Sequence, residues 1–266
     1  MTKLVAILNI TPDSFSDAGK YNNLNSAISY LKQLIEQSAD IIDIGAESTR
    51  PGANPVTYEE EWERLKTILP EAIDYIKSYN KQNNKNILIS LDSRHYKTVK
   101  KALELGIDII NDVSGFEDPK MIELAARSGK KIIVMHNLGI PADKNKIVPK
   151  NLDVIQVIID WMKNKLEKLT DSDVKKEQII FDPGIGFGKD AEQSINILNN
   201  IDKLRILDLP LFIGHSKKSF LSNFIPESHL NIADIADKTL IISKYLAEKQ
   251  VEYLRVHDVA KNKTVL

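Results

Sequence analysis

Eight short apolar runs recur along the chain, with longer helix-period segments between them, and that alternation restricts the fold more than any other feature. The runs are Leu4–Ile10, Ile41–Ile44, Ile87–Leu91, Ile107–Ile110, Lys131–Met135, Gln178–Phe181, Leu211–Ile213 and Tyr253–Val256. Apolar residues at helical spacing fill residues 24–38, 58–79, 95–105, 118–128, 152–169, 191–203 and 232–248. Asp118-Pro119 suits a helix start, with proline at the first helical position. Strict alternation of this kind implies right-handed βαβ units and a parallel sheet. Eight units in 266 residues favour an α/β fold of the (β/α)8 TIM-barrel type, read as a single domain over 1–266. The structural alternative is an open doubly wound sheet, but no Gly-x-Gly-x-x-Gly follows the first strand. Gly184, Gly186 and Gly188 follow the sixth strand, at the wrong spacing for that fingerprint. Only ten residues follow Val256, so the final helix is expected to be short or truncated.

The totals narrow the function classes. Thirty-six basic against 37 acidic residues give a net charge of −1, which offers no global attraction for nucleic acid or a membrane surface. The absence of cysteine excludes disulfides and thiolate metal sites and fits a reducing compartment. The first strand follows Met1 directly, so no signal or transit peptide is expected, and the segment Leu152–Leu169 carries too many charges to span a bilayer. A cytoplasmic protein is the expectation.

A barrel carries its active site at the C-terminal ends of its strands, and the polar residues of this chain gather there. The first strand ends at Asn9 and runs into Thr11-Pro12-Asp13-Ser14-Phe15-Ser16-Asp17, about twice the length an ordinary βα connection needs. The second ends on Asp43 and a Glu47–Pro51 loop. The others end on Asp92, Asn111-Asp112, His136-Asn137, Asp182, His215–Ser219 and Arg255-Val256-His257-Asp258. Taken singly, Asp92-Ser93 serves equally well as a helix cap, and Asp182 before Pro183-Gly184 as the start of a turn. A polar residue on every strand of one rim is harder to assign to capping.

Asp92, Asn111 and Asp182 bring two carboxylates and an amide to neighbouring strands, without the histidine or cysteine set of a zinc site. Such groups match a planar heterocycle with a row of N–H donors. Lys217, Lys218, Arg255 and His257 fall on the seventh and eighth loops, the usual anion site of phosphate-handling barrels; a solvated charge face describes Lys203 and Lys261 better. The long first and second loops have the composition of a lid over a charged substrate. The residues alone thus point to an enzyme that holds a heteroaromatic ring deep in the barrel and a phosphate or pyrophosphate near its rim.

The motifs also resemble those of one family. Ile7–Asp17 and Asp43–Gly52 are similar to the first two signatures of the dihydropteroate synthases. Ser90–Ser93, Ile109–Asp112, Val134–His136, Phe181–Lys189 and Arg255–Asp258 follow in family order over essentially the whole chain. The resemblance implies a transferase that joins 4-aminobenzoate to 6-hydroxymethyl-7,8-dihydropterin pyrophosphate, forming 7,8-dihydropteroate and pyrophosphate for folate synthesis. It implies a pterin site of Asp92, Asn111, Met135, Asp182, Phe187 and Lys218, and a pyrophosphate site of Asn9, Arg255 and His257, with Mg2+ at Asn9. The 4-aminobenzoate site, also taken by sulfonamides, would comprise Ser14, Phe15, Thr49, Arg50, Pro51 and Ser219. Asp92, Lys218, Asp13 and Arg50 are the catalytic candidates. The implied mechanism is a dissociative substitution in which pyrophosphate departs first, Asp92 supports the pterin cation, and an Asp13–Arg50 pair helps close the first two loops.

Three departures from the family pattern stand out. Lys217 occupies a position usually held by arginine, and lysine does not replace a bidentate or stacked arginine. No hairpin precedes the first strand, and the last helix is cut short. Such ends suit a domain of a fused folate-pathway polypeptide, for example one with a pterin pyrophosphokinase. Small-molecule partners and a homodimer are expected. The competing readings are a methyltetrahydrofolate-binding methyltransferase barrel and a catalytically inactive paralogue.

Overall fold

The computed structural model describes residues 1–11, 24–49, 53–143, 145–218 and 238–266. Eight parallel strands form a single sheet: β1 (Lys3–Asn9), β2 (Ile41–Gly45), β3 (Leu88–Asp92), β4 (Ile109–Asp112), β5 (Lys131–Met135), β6 (Ile179–Asp182), β7 (Phe212–Ile213) and β8 (Tyr253–Val256). The hydrogen-bonded order is β6-β5-β4-β3-β2-β1-β8-β7. An isolated parallel bridge, Phe181 to Leu211, joins the two ends of that ribbon, so the sheet closes on itself. This is the expected (β/α)8 barrel.

Successive strand residues face opposite sides, and two apolar groupings follow from that. Val5, Ile41, Ile109, Ile133, Ile180 and Phe212 form one buried cluster inside the barrel, flanked by Leu88 and Tyr253. Their neighbours of opposite parity, among them Leu4, Ala6, Leu8, Ile42, Ile44 and Leu91, pack in a second cluster with the helices. The inner cluster is a dry floor, and everything above it on the same parity opens toward the C-terminal rim.

The helices are α1 (Leu24–Glu36), α2 (Tyr58–Leu65), α3 (Ile68–Asn83), α4 (Tyr96–Leu105), α5 (Pro119–Ser128), α6 (Val154–Thr170), α7 (Ala191–Asn199), α8 (Lys238–Glu248) and α9 (Val259–Lys263). Two sequence expectations need correction. The segment 58–79 is two helices, because Pro70 has no N–H for the carbonyl of Lys66 and its ring crowds that carbonyl. The break falls one turn before the proline. The segment 191–203 leaves the α-helix at Asn199; the Asn200 amide donates back to Asn196 O at 3.0 Å, and a 3-10 stretch, Ile201–Leu207, follows. The final helix is short, as expected. Asp118 caps α5 by accepting from Lys120 N at 2.9 Å, with Pro119 as its first residue. Among the described residues no helix is long and apolar enough to cross a membrane.

Asp112 ends β4 with outward parity, and its job is local. It is fully buried, and it accepts from Ser114 N at 2.8 Å, Ser114 Oγ at 2.6 Å and Phe116 N at 3.0 Å. These bonds hold a turn in which Phe116 adopts φ +57°. Replacing Asp112 with alanine strands two N–H groups, and urea unfolding should show a loss of roughly 3 kcal/mol. A loss under about 1 kcal/mol would mean the turn is held by packing alone.

Candidate active site at the C-terminal rim

Strand parity sorts the polar residues of the rim. Counting by twos from the dry floor leads to Asn9 on β1, Asp43 and Gly45 on β2, Ser90 and Asp92 on β3, and Asn111 on β4. It leads equally to Met135 on β5, Asp182 on β6, and Arg255 and His257 on and after β8. Pairing register puts Asn9, Gly45, Asp92 and Asn111 in one row. Gly45 gives that row its clearance, because a Cβ there would lie 3.2 Å from Asp92 Cβ. Asp112 and His136, adjacent in sequence to site positions, have the opposite parity and face the helices.

The centre of the pocket is a charged cluster. Arg255 Nε donates to Asp43 Oδ2 at 2.6 Å, and its NH2 group donates to Asp92 Oδ2 at 2.8 Å. The Asn111 amide donates to both oxygens of Asp43, at 3.2 and 3.3 Å. Asp43 is fully buried, whereas Asp92 retains 14% side-chain exposure and Arg255 22%. Burial raises the Asp92 pKa to about 7, with Arg255 opposing and Asp43 adding to the rise. Sequence reasoning left Asp43 among strand-end residues and gave it no role. The available signal was its parity, two residues before Gly45. The resemblance implies a pyrophosphate role for Arg255, and its guanidinium here meets the two carboxylates.

A second group surrounds the turn after β6. Asp182 Oδ1 accepts from Gly184 N at 2.7 Å, and burial lifts its pKa to about 6 against that bond and the nearby Lys218. Gly184 has φ +64°, and a Cβ on it would meet His136 O at 2.0 Å, so only glycine lets this turn lie against β5. The Lys218 amine donates to Ile185 O and stands 5.1 Å from the Phe187 ring centroid. Burial lowers the Lys218 pKa to about 8, opposed by Asp182. Met135, buried, is the register partner of Asp182. Asp92, Asn111, Met135 and Asp182 thus share the inward parity of the rim, Phe187 and Lys218 stand beside Asp182, and the Arg255 charge bears on both Asp182 and Lys218.

Nearer the mouth, His257 is held through its N–H and Nδ1 by Ser216 Oγ, at 3.3 and 3.0 Å. Asn9 ends β1 half-buried. Thr49 lies on the second loop, where its carbonyl accepts from Ala142 N at 3.5 Å. Lys217 is exposed, with φ +59°, so the departure from arginine falls on a solvent-facing side chain. Asp13, Ser14, Phe15, Arg50, Pro51 and Ser219 lie outside the described residues, as does the expected Asp13–Arg50 pair.

Supporting residues behind the rim escaped sequence reasoning. Glu47 accepts a bidentate pair from Arg94, at 2.7 and 2.8 Å, and also the Val56 N–H at 3.0 Å. That fastens the second loop to the third. Glu61 on α2, fully buried, accepts from Ser93 Oγ at 2.8 Å, beside Asp92. Burial raises its pKa from 4.5 to about 7 against the Ser93 and Thr98 hydroxyls. A pKa raised on folding gives stability that is complete below the unfolded value and lost as pH rises through the folded one. Glu61→Gln should therefore gain on the wild type between pH 5 and pH 8.5 by on the order of 2 kcal/mol in urea unfolding. Parallel pH curves for the two proteins would show that Glu61 does not titrate with folding.

Comparison with known proteins matches residues 5–257 to the family described as pterin binding enzyme. The dihydropteroate synthase of Clostridium beijerinckii is 36% identical over 264 residues, covering 98% of this chain and 90% of that protein. A probable bifunctional folylpolyglutamate synthase/dihydropteroate synthase of Haloferax volcanii is 34% identical over 98% of this chain, which spans only 29% of that longer protein. Among solved structures, dihydropteroate synthase from Anaplasma phagocytophilum with bound 6-hydroxymethylpterin-monophosphate superposes with a TM-score of 0.84. It is 41% identical, and the match covers 99% of this chain and 96% of that one. With the parity of its rim residues and these relatives agreeing, the chain belongs to the pterin-binding enzyme family, among the dihydropteroate synthases.

Proposed function

We propose that this protein condenses 6-hydroxymethyl-7,8-dihydropterin pyrophosphate with 4-aminobenzoate, giving 7,8-dihydropteroate and pyrophosphate. The observation that carries the reading is the shared inward parity of Asp92, Asn111 and Asp182 above an apolar floor, with the Lys218 amine near Asp182. Two carboxylates and an amide suit the N–H row of a pterin edge, and the Lys218 amine suits a carbonyl oxygen. The pterin-phosphate complex of the Anaplasma relative supports a ligand of this class.

In this reading Asp92 and Asp182 accept hydrogen bonds from the ring, Asn111 keeps Asp43 in register beneath it, and Phe187 and Met135 form apolar walls. Ionised Asp92 stabilises the ring as positive charge develops on loss of pyrophosphate, an effect strengthened by its sheltered position. His257, oriented by Ser216, and Arg255 bind the departing anion. For Arg255 this requires its guanidinium to turn outward from Asp92. Among the described residues no group of three histidine, aspartate or glutamate side chains could hold a metal. A single amide such as Asn9 nevertheless fits Mg2+, which keeps waters and takes its other ligands from substrate phosphates. Asn9 would hold the ion, and the ion would supply neutralisation of pyrophosphate charge. Thr49 belongs with the 4-aminobenzoate side of the pocket, where sulfonamides would compete.

The same reading treats residues 1–266 as one barrel domain working on small molecules as a cytoplasmic homodimer. The Haloferax relative offers a precedent for fusion, there with folylpolyglutamate synthase rather than the pyrophosphokinase considered from the sequence.

Pyrophosphate release is the direct test. It should require the pterin substrate and Mg2+ and yield dihydropteroate when 4-aminobenzoate is present. No release from folded protein in the complete mixture would defeat the reading and favour an inactive paralogue; methyltetrahydrofolate binding in its place would favour the methyltransferase barrel. Asp92→Asn should lower kcat/KM roughly 100-fold while changing pyrophosphate affinity less than about 3-fold. Weakened pyrophosphate binding with normal turnover at saturation would contradict the role given to Asp92.

A further inference from the structure

Two lysine amines grip the turn after β6 from opposite sides. Lys218 meets it at Ile185 O, within the pocket. Lys189 meets it from behind: its Nζ donates to Gly184 O at 3.0 Å and Phe187 O at 2.9 Å, and reaches back to β5 at His136 O, 3.2 Å, and His136 Nδ1, 2.7 Å. Lys189 is only 5% exposed and His136 1%. Lysine is almost never buried unless its charge is matched, and here the Nζ faces four acceptors, with no carboxylate among the described residues bonded to it.

The acceptors explain how such a lysine is tolerated. Burial and the adjacent amine hold the His136 pKa down to about 3, so its ring is neutral at any working pH. Nδ1 then accepts from Lys189, and the ring proton sits on Nε2. The His136 ring is packed edge-on against Trp161, centroids 5.0 Å apart, which fixes the acceptor in place. Burial also brings the Lys189 pKa well below its usual value, opposed by Asp182.

We propose that Lys189 is a positioning residue for the pterin pocket, fixing the 184–188 turn against β5 and thereby setting Asp182, Phe187 and Lys218 without touching substrate. The connections are short. Gly184, whose carbonyl Lys189 holds, donates its own N–H to Asp182. Phe187, whose carbonyl Lys189 also holds, carries the ring that faces Lys218. Releasing the amine frees the turn at both ends, and three of the six pterin-facing residues lose their shared reference. Thr49, on the 4-aminobenzoate side, belongs to the second loop and not to this turn. The inference rests on the pterin reading of the site.

Lys189→Met keeps an unbranched apolar stem of similar shape and removes the amine. KM for the pterin substrate should rise at least about 10-fold, with KM for 4-aminobenzoate unchanged within about 2-fold. Equilibrium binding of 6-hydroxymethylpterin, followed by fluorescence, should weaken in parallel. Lys189→Gln, which can still donate to two of the carbonyls, should fall between the wild type and Lys189→Met. A variant whose activity falls only through kcat, both KM values holding, has lost folded fraction and not geometry; that result overturns the proposal. If Lys189→Met does not fold, the same split is read on Lys189→Gln and His136→Gln. Failure of all three to fold would assign the clamp to stability alone and also overturn it. Wild-type protein that fails to bind 6-hydroxymethylpterin would instead defeat the pterin reading itself.

Discussion

Arg255 between Asp43 and Asp92 is the interaction on which the pocket floor depends. Two carboxylates share one guanidinium inside a barrel whose lower layer is an apolar cluster. A buried charge is tolerated only when paired and hydrogen-bonded. Asp43 meets that condition through Arg255 and the Asn111 amide, which leaves Asp92 as the group with a second demand on it. Asp92 is also the more accessible of the two carboxylates. One member of the cluster is thus structural and the other available for chemistry, although both belong to the same ionic group.

The alternation of the strands makes that arrangement possible and made much of it legible beforehand. Period two along a strand, imposed on a closed sheet, separates inward residues from outward ones without reference to their chemistry. Asn111 and Asp112 are neighbours in sequence; the first enters the pocket, and the second ties a turn on the other face. Met135 and His136 divide in the same way. The eight strands, their rim and the pocket residues Asp92, Asn111 and Asp182 could be read from spacing because they obey this rule. Asp43 obeys it too and stands among the strand-end residues, but nothing near it in the sequence announces the guanidinium that reaches it from β8.

What the sequence hid was long-range or local in ways a pattern does not encode. The Glu47–Arg94 pair joins residues 47 positions apart, and nothing in either neighbourhood announces the other. Lys189 reads as the charged end of a glycine-rich turn, and only the fold reveals that it points inward. The division at Pro70 was visible in principle, because a proline one turn into a helix marks a boundary; the apolar spacing continued through it and masked the stop. Family resemblance implies more site residues than spacing does. Nine of the described side chains that resemblance implicates lie on the inward face or beside it, and among them the Arg255 guanidinium meets Asp43 and Asp92.

The way the barrel closes has a mechanical side. Seven of the eight strand junctions are ladders of backbone hydrogen bonds, but β6 and β7 meet through the single Phe181–Leu211 bridge. Asp182 ends β6, and Lys218 follows β7, so the two groups stand on opposite lips of this seam. A rigid planar ligand held by both would act as a strut across it. Binding would then fasten the weakest joint of the wall, and the enzyme's shape would be most complete when the pocket is full.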